Sequence, residues 1–119
     1  MKTQKEYMAI IKKEFADIIE SNKNIFDAYN YSNHKACDLI IQFRKNIERC
    51  GLKFSKCYHA NGIGNNNENT IFIETTDDDG FVVQKNVASF YYCYGIFGGC
   101  YVSLTDLATN EKFAVSRAR

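Results

Sequence analysis

The stretch that decides the fold is residues 87–94, VASFYYCY, followed across residues 95–99, GIFGG, by residues 100–104, CYVSL. Aromatic and β-branched residues dominate both runs, and the glycines between them supply the backbone freedom that a reversal needs. Together they predict an antiparallel hairpin. Side chains alternate along a strand, so Phe90, Tyr92 and Tyr94 share one face while Tyr91 and Cys93 take the other. One such set fills a core. The other leaves aromatic rings where they can stack a base or anchor a partner.

Working outward, the same period of two recurs on both sides. Upstream, residues 81–83 form a short strand entered from the turn DDDG at 77–80, where adjacent Asp residues before a Gly favour reversal. Residues 70–76 form another, with Ile71 and Ile73 on one face and Phe72 on the other. Leu52 and Phe54 alternate with Lys53 and Ser55. Downstream, residues 108–110 turn the chain into a last strand at 112–115. Further toward the N-terminus the period changes to that of a helix. In residues 3–21, Tyr7, Ile11, Phe15 and Ile18 share a face widened by Met8 and Ile19, and Thr3 with Glu6 forms a capping box. In residues 34–50, Ala36, Ile40, Phe43 and Ile47 share a face, Ser32 or Asn33 caps the start, and Gly51 suits a left-handed stop. Residues 22–32 break the pattern but are too apolar for a free linker. The expectation is an α+β fold: two N-terminal amphipathic helices packed on one face of an antiparallel sheet of about five strands. Phe15, Ile18, Ile40 and Ile47 are expected to be buried between the layers.

The chain has 119 residues, of which 45% are hydrophobic, enough for one core and too few for two. It reads as a single domain over 1–119, helical over 3–50 and sheet over 52–115. Charged residues at 24% and aromatics at 14% argue against global disorder. No window approaches the roughly 20 apolar residues of a membrane span, and the N-terminus lacks the apolar stretch of a signal peptide. A cytoplasmic protein with no membrane partner is expected. Its five cysteines, an odd number without a CxxC pair, suit reduced thiols. The net charge of +1 hides an asymmetry, +4 over residues 1–56 against −3 over 57–119. That balance is too mild for a strong polyanion binder or an acidic DNA mimic.

Residues suited to chemistry are few. Cys57 and His59 fall on one strand face, yet the close ligand pairs of a structural zinc site are lacking, so no metal is expected. Asp77, Asp78 and Asp79 lack the alternating ligands of a calcium loop and read as a solvated turn. No nucleophile motif is present, and His34 and His59 are the only near-neutral bases. The chain is therefore expected to be no enzyme and to hold no cofactor. Its most unusual feature is residues 61–69, NGIGNNNEN. Gly62 and Gly64 allow close backbone approach, and Asn61, Asn65 and Asn66 offer donors and acceptors. This stretch is expected to be a loop held out by a rigid sheet. Lys53 and Lys56, just upstream, are placed to contact phosphates, and Tyr91, Tyr92 and Tyr94 are the candidate stacking rings.

These stretches resemble the N-terminal DNA-recognition domain of McrB-type modification-dependent restriction enzymes. In that family a glycine-bearing loop leads into an apolar strand, then a turn, an aromatic strand and its hairpin partner. Here residues 61–65 with 71–74, and then 89–94 with 99–104, match that order, over roughly residues 52–105. Thr70 and Ile71 stand where the family has a Pro-aromatic pair. The resemblance implies binding of duplex DNA that carries a modified cytosine, flipped into an aromatic pocket. It implies a recognition module of a restriction or defence system. The alternative is a protein partner. A small Asn- and Lys-rich domain without a catalytic signature also looks like a phage- or mobile-element-encoded inhibitor of a host defence complex, of the anti-CRISPR or anti-restriction kind. Its aromatics would then be interface anchors.

Overall fold

The computed structural model describes residues 2–23, 33–55, 65–94 and 100–117. Two helices precede five strands: α1 (Gln4–Ser21), α2 (Asn33–Arg49), β1 (Lys53–Phe54), β2 (Asn65–Thr76), β3 (Val82–Tyr94), β4 (Cys100–Asp106) and β5 (Lys112–Arg117). The strands form one sheet in the order β1-β2-β3-β4-β5, every neighbouring pair antiparallel. The α+β class expected from the periodicities is what the chain forms. No helix among the described residues is long and apolar enough to cross a membrane.

Local chemistry sets the helix ends. The Thr3 hydroxyl accepts from the Glu6 amide at 3.2 Å, and the Glu6 carboxylate accepts from the Thr3 amide at 3.0 Å. Two amides without helical partners are thereby satisfied. At the far end of α2, Gly51 takes φ +86°, the left-handed conformation that a side chain resists.

The core is built around Phe90. Phe43 lies 4.7 Å from it between ring centroids, Phe54 5.9 Å, Tyr92 6.2 Å and Phe15 6.3 Å. Rings from α1, α2, β1 and β3 thus meet in one cluster, mostly edge-on or tilted, the arrangements that ring quadrupoles favour. Met8, Ile11 and Ile18 of α1, Leu39, Ile40 and Ile47 of α2, and Ile71, Val102 and Leu104 of the sheet surround it. Phe15, Ile18, Ile40 and Ile47, the residues whose spacing marked them for the interior, are all buried.

Two sequence expectations need correction. Residues 65–69 are no loop. They extend β2, pairing in register from Asn65 with Tyr94 to Asn69 with Phe90. Asn disfavours strands only weakly, and the ladder that β3 offers outweighs that preference. Residues 81–83 and 87–94 are also not separate strands, because β3 runs unbroken from Val82. A bulge explains the apparent break. Ile71 pairs with Ala88 and Phe72 with Asn86, so Val87 is the extra residue. Val87 and Ala88 are consequently both buried, which interrupts the alternation. Residues 24–32 and 95–99, expected to pack down and to turn, lie outside the described residues.

Candidate functional site

The sheet face that carries Tyr91 holds a polar concavity built by register. Tyr91 sits between Glu68 of β2 and Ser103 of β4. One pair further on, Ser89 sits between Thr70 and Thr105, and Thr105 is paired in turn with Lys112. Since every second residue of a strand shares a face, these side chains gather on the side opposite Phe90 and Tyr92. The concavity has a volume of about 300 Å³ and is lined by Glu68, Ser89, Tyr91, Tyr101, Ser103, Thr105 and Lys112.

Its parts differ in burial and role. Tyr91 and Tyr101 are half-buried and meet nearly edge to face, with centroids 5.8 Å apart. Ser89 donates its hydroxyl to Glu68 Oε1 at 2.8 Å, which orients the carboxylate. Ser103 and Ser89 are buried at the floor, while Glu68 and Lys112 stand exposed at the sides. The outcome is two aromatic walls, a floor of hydroxyls that donate or accept, a carboxylate that accepts, and an ammonium that donates. Such a set can hold a flat polar group.

The ten residues singled out from the sequence do not converge here. Tyr91 does. Tyr92 is 1% exposed and belongs to the core, so its ring is not presented to a ligand. Lys53 is exposed but pairs with Glu74 at 2.9 Å, which neutralises it. Asn65 and Asn66 are strand residues opposite Tyr94 and Cys93, not loop residues. Lys56, Asn61, Gly62 and Gly64 lie outside the described residues, and Tyr94 is described only as the end of β3. Glu68, Ser89, Tyr101, Ser103, Thr105 and Lys112 were missed. The alternation that separates Tyr91 from Tyr92 also puts Ser89 with Tyr91. Adding Glu68 required knowing that β2 begins at Asn65.

No protein-family model matches the chain, and neither does any curated protein or solved structure. The geometry and the sequence therefore carry the functional argument by themselves.

One titrating group lies away from the face. Burial, and next to it the Glu14 carboxylate, push the Cys50 thiol above its ordinary value of 9.0. Its sulfur is 3.8 Å from Glu14 Oε1. A thiol so placed is a poor nucleophile at neutral pH.

Proposed function

We propose that the protein is a non-catalytic recognition module that binds duplex DNA, with a nucleobase received in the concavity between Tyr91 and Tyr101. In this reading both helices cover the Phe90 side of the sheet and leave the Tyr91 side to the ligand. The observation that carries it is the make-up of that concavity: paired tyrosines beside a carboxylate held by Ser89. A base stacked on an aromatic ring gains on the order of 1–3 kcal/mol. A carboxylate suits the exocyclic amine of cytosine, whose major-groove edge offers a donor there. Drawing a base out of the helix costs a few kcal/mol, which stacking and edge hydrogen bonds offset. The sequence resemblance to McrB-type recognition domains supports the same ligand, a duplex with a modified cytosine, and a role in a cytoplasmic restriction or defence system is part of this reading.

The test is a titration of labelled plain and cytosine-modified duplexes at two salt concentrations. Binding at low salt that weakens as salt rises, and that favours the modified duplex, is the expected result. Tyr101→Ala should weaken binding while leaving the fold intact. No binding to either duplex at low salt would end this reading.

A second reading has its own observation. Lys53 is paired with Glu74, and the Tyr91 face balances Lys112 against Glu68. No run of free cations tracks a phosphate backbone on that face among the described residues. A protein of a host defence complex would not require one, and the tyrosines would then act as interface anchors. The same titration decides, because a protein-binding inhibitor shows no salt-dependent retention of DNA.

A further inference from the structure

The β2–β3 hairpin outgrows the sheet. β1 pairs with β2 at Ile71 and Phe72, and β4 pairs with β3 only from Ala88 onward. Residues 73–76 and 82–85 therefore pair only with each other. They form a two-stranded ribbon about 13 Å long that leaves the core at Ile73, which is still buried, and carries exposed residues over 82–85. Its tip combines two properties. Phe81 is 69% exposed, Val82 68% and Val83 43%. Beside them Asp78 and Asp79 are exposed and enter no ion pair among the described residues, while Asp77 Oδ1 accepts from the amides of Asp79 and Phe81 and holds the turn. A lone ribbon is marginally stable in water, and clustered apolar residues at an exposed tip mark a contact surface.

A receptor for such a tip lies at the ribbon's own base. A groove of about 520 Å³ runs between the start of α1 and the β4–β5 turn. Met8, Ala9 and Ala108 give it an apolar lining, and Lys5 and Lys12 add positive charge. Its position is fixed by Val87, whose carbonyl accepts from Gln4 Nε2 at 3.0 Å and from the Leu107 amide at 3.2 Å. Of the two acids in the lining, Asp106 is buried with Oδ1 accepting from Gln4 and Ala108, and Glu111 is exposed. Lys12 lies over the Phe113 ring at 4.6 Å, and Lys5 has no ion-pair partner among the described residues.

We infer that the groove receives the ribbon tip of a second copy of this chain, so that two copies exchange ribbons about a two-fold axis. The groove is anchored at Val87, where the ribbon leaves the sheet, so the tip at Phe81 and Val82 lies about one ribbon length from it. A ribbon cannot bend back into its own groove without breaking its ladder. Two ribbons laid antiparallel bring each tip to the partner's base. Phe81 and Val82 then meet Met8 and Ala108, and Asp78 and Asp79 meet Lys5 and Lys12. The contact is the same in both directions, so it closes at two copies. This inference is independent of the DNA reading.

Sedimentation velocity over a concentration series tests it, using the full chain, Asp78→Lys/Asp79→Lys, Lys5→Glu/Lys12→Glu, and an equal mixture of the two variants. The unaltered chain should dimerise. Each variant alone opposes like charges in both contacts and should dimerise at least about tenfold more weakly. Their mixture restores opposite charges in both contacts and should recover the dimer. Phe81→Ser/Val82→Ser, which alters only exposed residues, should be monomeric with an unchanged circular-dichroism spectrum and a melting temperature that no longer rises with protein concentration as the parent's does. A monomeric parent chain, variants that dimerise as the parent does, or a mixture that stays monomeric would each overturn the exchange. Loss of the dimer with DNA binding intact would leave the DNA reading standing.

Discussion

Asn69 is where local preference and burial conflict most directly. It is 1% exposed, pairs with Phe90 across the β2–β3 ladder, and neither end of its amide has a hydrogen-bond partner among the described residues. An orphaned buried polar group keeps its desolvation cost without compensation, on the order of 1–3 kcal/mol. Asn69→Leu removes the orphan at similar size and also suits a strand. It should raise the denaturation midpoint by a stability gain of about 1–3 kcal/mol. An equal loss instead would show that the amide is engaged in solution. The sequence pointed away from this position, because an Asn between Glu68 and Thr70 looks like part of a polar loop. Burial of Asn69 depends on its partner strand 21 positions away, which no local window contains. Phe15, Ile40 and Ile47 were readable for the opposite reason: their burial follows from a helical period spelled out by their own neighbours.

At the level of elements, the helices were written in the sequence and the sheet only in part. The capping box at Thr3 and Glu6 is a four-residue pattern, and it forms as read. Hydrogen bonding from the Thr3 amide, and then from its hydroxyl, holds the Glu6 carboxyl below its ordinary value of 4.5. Because the folded value is the lower one, this contribution is complete above pH 4.5 and is lost as pH falls through the folded value. Thr3→Ala should cost about 0.5–2 kcal/mol at neutral pH, measured by urea unfolding. The cost should shrink in acid, where protonated Glu6 no longer answers the cap. A cost independent of pH would mean that the two halves of the box act separately. Strand limits were less readable, since Val87 at the bulge breaks the alternation that locates them. The ribbon beyond that bulge should exchange its amide hydrogens at Thr75 and Val83 well before those at Phe90 and Leu104, because only two strands hold it.

Across the whole molecule, the sheet has one apolar face built into the core and one polar face with a concavity. The Phe90 side joins rings from four elements, so a change there acts on the fold. The Tyr91 side presents half-exposed rings and hydroxyls from β2, β3 and β4, with Lys112 from β5 at its margin, so under the proposed DNA reading a change there acts on binding. That second side could not be assembled from the sequence, since its members are scattered from residue 68 to residue 112 and meet only through four strands in correct register. The division makes a paired prediction. Phe90→Ala should cost about 3–5 kcal/mol of stability, while any duplex affinity of the remaining folded fraction stays near that of the parent. Tyr101→Ala removes a half-buried ring at the edge of the concavity and should cost far less stability, yet it should lower duplex affinity by about 1–3 kcal/mol, which is what one stacked base supplies. Melting curves and duplex titrations on both variants measure the two quantities separately. If Tyr101→Ala lost stability and kept its affinity, the Tyr91 face would be a packing surface, and recognition would have to be sought on the groove and ribbon instead.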